Sequence, residues 1–379
     1  MRRGRGGRWE CRPYLGTAPG GRRIRPQRSW PGDMPEGEAL AAAREWAAAL
    51  GAFADEGVWP TVDGLVTAYV AQLTAAGAPW NTVKSYGHWR RRYVSPYVGR
   101  VPASELTAVQ VEGMYACLQE DLGVSNSTVR LVHSLMRRSY RWGVRRLTPS
   151  SPMESVTPPR PMPARKSSLS PLDAARVRDE LVARLDALGW GAGGAAADAA
   201  PYMAALTSLG TALRVGEECA LRAVDVDFAS STLRVDGTVT EGRGGGLSRG
   251  EPKSPNSVRA LVMGETTEGH LARWARATGA GRRPDAPLFP GRGGGWMRPA
   301  DCSAAFSALA RDLGLPAGAT FHILRHTHAS MLLARGESLP AVAARIGDTK
   351  RAAMDYYGHA MPGADRQLAE SFDAALGRF

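Results

Sequence analysis

The chain has 379 residues, 44% of them hydrophobic and 22% charged, which suits two or three folded domains, each with its own core. Its net charge of +12 and sequence pI near 10.0 favour a polyanionic partner. No apolar run reaches the roughly eighteen residues of a membrane-spanning helix, and the Arg-rich start lacks the apolar stretch of a secretory signal.

Cys11, Cys117, Cys219 and Cys302 are scattered without a C-x-x-C spacing, so they read as thiols of a reducing compartment and the expected location is cytoplasmic. The first thirty residues carry nine Arg and one Glu. Arg8 to Leu15 and Arg22 to Trp30 read as short basic strands around a turn at Gly16 to Gly21. A helix follows at Glu36 to Leu50, with Leu40, Ala43, Trp46 and Leu50 at helical spacing. Trp9, Tyr14, Trp30 and Trp46 offer a minimal core; without it this stretch would be a disordered basic tail. Strands plus one helix, with Arg on the sheet, suit a DNA groove.

Residues 58 to 150 carry helical periodicity, with helices expected at Thr61 to Ala76, Trp80 to Tyr93, Thr107 to Leu122 and Ser127 to Arg146. The second bears Lys84, His88, Arg90, Arg91 and Arg92; the fourth bears Arg130, Arg137, Arg138, Arg141, Arg145 and Arg146. Either alone is more often a solvated face, but two such helices in one bundle suggest phosphate contacts. The candidates are Lys84, Arg90, Arg91, Arg130, Arg137, Arg138 and Arg141. Val156 to Ser168 is a proline-rich linker of extended chain.

From Leu169 onward helices are expected at Pro171 to Leu188 and Pro201 to Leu213, then strands at Thr232 to Val239 and Ser257 to Met263. Further helices are expected at His270 to Thr278, Ser303 to Leu313, His322 to Arg335, Leu339 to Ile346 and Arg351 to Tyr357. Arg214 and Glu217 are three apart, so the carboxylate can orient the guanidinium. Lys253 sits in a turn after a flexible Gly242 to Gly250 loop. His322 and Arg325 share one helix face, and guanidinium beside imidazole suits a phosphate under attack. Tyr357 lies 32 residues beyond Arg325 and could attack that phosphate.

Those residues, in that order and with those local sequences, resemble the tyrosine recombinases of the phage-integrase family over nearly the whole chain. The family's arginine, glutamate, lysine, histidine-x-x-arginine and tyrosine fall on Arg214, Glu217, Lys253, His322, Arg325 and Tyr357. Pro96-Tyr97-Val98-Gly99 and the helix from Val132 to Val144 look like the family's core-binding domain.

The resemblance implies a multidomain fold, mainly α with small β elements. An arm-type β-sheet-plus-helix domain would occupy residues 1 to 55, and a helical, SAM-like core-binding domain residues 58 to 155. A linker would cover 156 to 168, and a mixed α/β catalytic domain 169 to 379. The family chemistry is strand cleavage and rejoining through a 3′-phosphotyrosine, with double-stranded DNA attachment sites as partner and no metal or nucleotide cofactor. No G-x-x-x-x-G-K-[ST] loop or H-E-x-x-H string occurs, and His326, His328 and His359 read as supporting or surface residues.

A homotetramer on DNA is implied, with a monomer or weak oligomer when free, and there is room for an accessory directionality factor. The arm-like unit favours an element integrase over a chromosome-dimer resolvase. A topoisomerase-like relaxing enzyme is less consistent with the N-terminal units.

Two positions depart from the family pattern. Asp348 stands where a histidine or tryptophan is usual; a carboxylate cannot donate to a phosphate oxygen and repels it unless an arginine screens it. Reduced or altered catalysis is expected there, and a DNA-binding protein that has lost turnover is the alternative. Ala212 replaces the usual glycine before the arginine, with little consequence expected. Tyr356 rivals the adjacent Tyr357, although the Tyr357-Gly358-His359 string matches the family at Tyr357. Ala364 to Leu376 reads as an amphipathic tail helix, which in this family often docks on a neighbouring protomer.

Overall fold

The computed structural model describes residues 2–4, 7–12, 27–51, 60–144, 147–148, 150–161, 168–251, 257–316 and 318–349. Lys253, Tyr356, Tyr357, the expected helix at Arg351 to Tyr357, the tail helix, the Gly16 to Gly21 turn and residues 162–167 of the proline-rich linker lie outside these residues. The chain divides into two compact units, Met1–Ala164 and Arg165–Phe379.

In the first unit, strands β1 (Arg2–Arg3), β2 (Trp9–Cys11) and β3 (Arg28–Trp30) form an antiparallel sheet in that order. Helix α1 (Glu36–Gly51) follows. Trp30 and Trp46 meet edge-on at 5.8 Å, and the Trp9 indole donates to the Met34 carbonyl at 2.9 Å. Arg3 lies over the Trp9 ring at 4.6 Å and Arg28 over Trp30 at 5.0 Å. Here the tryptophans supply both the core and a seat for the cations, as ring quadrupoles attract guanidinium.

Four helices complete the unit: α2 (Val62–Ala75), α3 (Trp80–Trp89), α4 (Ala108–Glu120) and α5 (Asn126–Gly143). Each start except that of α3 is capped by a hydroxyl, from Thr61, Thr107 or Ser125, which satisfies a free backbone N–H. α5 buries Val129, Val132, Leu135, Met136 and Tyr140 at three- and four-residue spacing and leaves Arg130, Arg137, Arg138 and Arg141 exposed. α3 runs on into a π-helical turn at Arg90–Val94. There the Arg90 guanidinium is held by Asp63 at 2.6 Å and Thr67 at 2.8 Å, while Ser95 also donates to Asp63.

The second unit begins with α6 (Pro171–Ala187) and α7 (Ala196–Thr211). α7 starts before the expected Pro201 and accommodates that proline inside the helix. Its buried Ala199, Ala200, Met203, Ala204 and Leu206 pack among α6 and three later helices, α9 (Glu265–Thr278), α10 (Pro299–Asp312) and α11 (His322–Ala334). A short helix, α8 (Val215–Glu218), follows α7, and α12 (Leu339–Ile346) follows α11. α9 and α10 begin earlier than expected because Glu265 and Glu268 favour a helix start and Pro299 suits a first turn. The buried Thr327 hydroxyl of α11 accepts the Leu169 backbone N–H at 2.9 Å.

The strand expected at Thr232 to Val239 is two strands in different sheets. β4 (Val226–Asp227), β5 (Thr232–Val235) and β8 (Arg259–Val262) form one antiparallel sheet; β6 (Thr238–Glu241) and β7 (Leu247–Gly250) form a separate hairpin. The break falls at Asp236, whose carboxylate binds Arg249 and Arg222. The glycine-rich stretch is therefore only partly loop. Its second half is β7, and Arg298 pins the hairpin through Glu241 at 2.7 Å.

Candidate active site

α7 ends at Ala212, whose backbone is left-handed at φ 60 and ψ 26. That conformation costs a non-glycine residue roughly 1–2 kcal/mol, so an alanine at position 212 carries strain where little consequence was expected. The turn buries Leu213 and presents Arg214 as the residue capping α8. Glu217 accepts from the Arg214 backbone N–H at 3.1 Å and from its Nη1 at 2.8 Å. The expected i, i+3 pair therefore forms, and Glu217 is buried beneath it.

Arg325, on α11, is 2% exposed. Its Nη1 donates to the carbonyls of Ala212 at 2.8 Å and Ile346 at 2.5 Å. The left-handed turn at Ala212 and the end of α12 thus both aim carbonyls at one guanidinium. Ala212, Ala329, Leu333, Val342, Ala343 and Ile346 pack as an apolar cluster around this junction.

Asp348 closes the site. One carboxylate oxygen accepts from Arg214 Nη2 at 2.6 Å and the other from Arg325 Nη2 at 2.8 Å. Arg214 Nη2 also reaches the Gly347 carbonyl at 2.9 Å. The screening arginine that a carboxylate needs at this position is supplied twice. Burial pushes the Asp348 carboxyl up, but Arg325 and then Arg214 hold it below the usual carboxylate range. Burial and the charge of Arg214 press the Arg325 guanidinium down, opposed by Asp348 and Glu217.

His322 opens α11 one turn before Arg325, is exposed, and lies 5.4 Å from the His326 ring. Arg214, Glu217, Arg325 and Asp348 thus form one connected group with His322 on the same helix as Arg325. In the first unit Arg90 is tied to Asp63, Arg130 donates to the Pro159 carbonyl and Arg138 to the Tyr86 hydroxyl. Lys84, Arg91, Arg137 and Arg141 are exposed.

Two further arginines were missed by sequence reasoning. Arg259 binds Glu217 at 3.0 Å. Arg345 donates to His328 at 3.0 Å and to the Val262 carbonyl at 3.2 Å. Arg259 shares strand parity with buried Leu261, and an arginine on a buried strand face was the available signal. Burial presses His328 down to about 4, so its neutral ring can bridge the Leu209 carbonyl and Arg345. Burial pushes the Glu218 carboxyl well above its ordinary value, and its Oε2 has no hydrogen-bond partner among the described residues. Those residues contain no cluster of three or more metal-ligating side chains, and no helix among them is long and apolar enough to cross a membrane.

Residues 192–362 match the family model described as the phage integrase family. The chain is 30% identical over 166 residues to the tyrosine recombinase XerC of Methylobacterium sp. (strain 4-46), covering 44% of this chain and 46% of that protein. It is 25% identical over 173 residues to the integrase of Staphylococcus phage L54a, covering 43% and 49%. The chain thus spans less than half the length of these two relatives. In fold it is similar to the Tn1549 transposon integrase solved with a circular intermediate DNA, at TM-score 0.64 and 21% identity over 83% of this chain and 99% of that one. The family match covers less than half of this chain and falls on the stretch that contains Arg214, Glu217, Arg325 and Asp348, and that stretch is similar to the tyrosine recombinases of the phage integrase family.

Proposed function

We propose that the protein is a site-specific recombinase that cleaves and rejoins double-stranded DNA through a 3′-phosphotyrosine, integrating or excising a mobile element. The observation that carries this reading is the convergence of Arg214 and Arg325 on the two oxygens of one carboxylate. Two guanidinia that share a two-oxygen anion can also grip the non-bridging oxygens of a phosphodiester, where charge gathers during attack. His322 would add a donor, Lys253 would protonate the departing 5′ oxygen, and Tyr357 would be the nucleophile. Glu217 would orient Arg214. The basic face of α5 would supply phosphate contacts, residues 1 to 55 arm-site contacts, and a tetramer would assemble on paired sites.

A nicked suicide duplex made from the DNA that flanks this chain's own gene tests the reading without added metal. Wild-type protein should give an SDS-resistant protein–DNA band, and Tyr357→Phe should give none while keeping its DNA affinity. A band that persists in Tyr357→Phe moves the nucleophile to Tyr356. No band despite specific binding overturns the catalytic reading.

A second reading, a DNA-binding protein of this fold with impaired turnover, is favoured by Asp348, which already engages both guanidinia. A covalent band that appears only in Asp348→His would select it.

A further inference from the structure

The arginine cluster contains a member for which strand transfer assigns no task. Arg259, the first residue of β8, has a side chain only 7% exposed. Its Nε donates to the Arg345 carbonyl, its Nη1 to the Ser257 carbonyl and its Nη2 to Glu217 Oε2, each at 3.0 Å. The three acceptors lie on three different segments: the last turn of α12, the chain leading into β8, and α8. A planar guanidinium presents its donors in a fixed fork, so those segments cannot shift independently while it holds all three.

Its contact with α12 extends beyond one hydrogen bond. Gly347 ends α12 at φ +65, and a Cβ there would lie 2.7 Å from Arg259 Nη1 and 2.9 Å from its Cζ. The terminus of α12 therefore rests on the guanidinium. That terminus supplies Ile346 O to Arg325, Gly347 O to Arg214, and Asp348 to both. On the other side of the fork, Glu217 holds Arg214 through its backbone and its side chain.

We propose that Arg259 is a positioning residue that sets the spacing of the Arg214 and Arg325 guanidinia, by fixing together the carboxylate beneath Arg214 and the helix end that holds both. This rests on the strand-transfer reading above. Electrostatics supports it: burial pushes the Glu217 carboxyl up, and the charge and hydrogen bond of Arg259, ahead of those of Arg214, hold it below the ordinary glutamate range. A lysine could neutralise Glu217, but as a point charge it could not span three acceptors.

The test compares full-length wild type, Arg259→Lys and Arg259→Gln on the nicked duplex from the gene's flanking DNA. Single-turnover adduct rate, adduct amplitude, DNA affinity and melting temperature are read for each. Arg259→Lys should keep DNA affinity and amplitude while slowing adduct formation about a hundred-fold, the scale of a small misplacement of reacting groups. A role in stability alone would lower amplitude and melting temperature and leave the rate per active molecule unchanged.

Combining Arg259→Lys with Arg214→Lys separates the routes further. If Arg259 acts through Arg214, the double variant should be no slower than Arg214→Lys alone. A wild-type rate in Arg259→Lys, multiplying losses in the double variant, or failure of both single variants to fold would overturn the assignment. Absence of any covalent adduct in wild type would instead overturn the strand-transfer reading, and this assignment with it.

Discussion

The arginines of α5 and those around Asp348 are the same residue put to opposite physical use. On α5, Arg137 and Arg141 stand in solvent, and Arg130 and Arg138 each make one described hydrogen bond. Around Asp348, Arg325 and Arg259 are buried and each meets acceptors on several segments. Exposed charge acts at a distance, is screened by salt, and tolerates movement of the partner. Buried charge is costly to desolvate and is kept only where its acceptors are fixed, so it can define a geometry. An exposed basic face and a buried arginine cluster can thus be told apart by burial, although both read as basic in sequence.

The sharpest break in that comparison comes from Arg325→Ala. It leaves Asp348 with one partner fewer and takes the Arg325 donor from the Ala212 and Ile346 carbonyls, which should cost roughly 3–5 kcal/mol in urea unfolding and abolish the covalent adduct. Acid should come next. Glu217 and Asp348 have depressed carboxyl groups, so their stabilisation is complete above the unfolded carboxylate range and is lost as pH falls through their lower folded values. Melting followed downward from about pH 5 should show destabilisation concentrated below about pH 4, and Asp348→Asn should reduce that slope. An unchanged slope would mean that the pair is not the acid-sensitive element.

The exposed face should behave differently. Arg137→Ala with Arg141→Ala should leave melting unchanged and lower the salt dependence of DNA affinity by about two phosphate contacts. Arg90→Ala should show the reverse, because Asp63 and Thr67 already hold that guanidinium: about 0.5–1 kcal/mol of stability and little of the salt slope. The smallest effect expected is from Ala212→Gly, which relieves the left-handed alanine and should stabilise by about 0.5–1 kcal/mol in thermal unfolding.

Helices were the legible part of this fold, and the reason is local. Thr107, Ser125, Ser170 and Ser338 mark helix starts by side-chain hydrogen bonds made within three residues, and α12 runs over the expected Leu339–Ile346. The strand break at Asp236 was not legible, because it depends on Arg249 arriving from the next hairpin strand. The same holds inside the candidate site. Arg214 with Glu217, and His322 with Arg325, are three apart and could be paired on paper. Arg259 reaches Glu217 across 42 positions and the Arg345 carbonyl across 86, separations that leave no periodic trace. The strain at Ala212 was hidden for another reason: backbone conformation follows from where α7 must stop, and composition does not report it.

The hydrogen bond from the Leu169 N–H to the Thr327 hydroxyl has a mechanical consequence. Leu169 is the first residue after the linker, and Thr327 is buried two positions beyond Arg325 on the same helix. A tug on the chain at Ser168 would be shared between α6, which begins at Pro171, and α11, the helix that carries His322 and Arg325. The helix that holds Arg325 is also one of the posts to which the incoming chain is tied, so the entry to the second unit and the arginine cluster share a support.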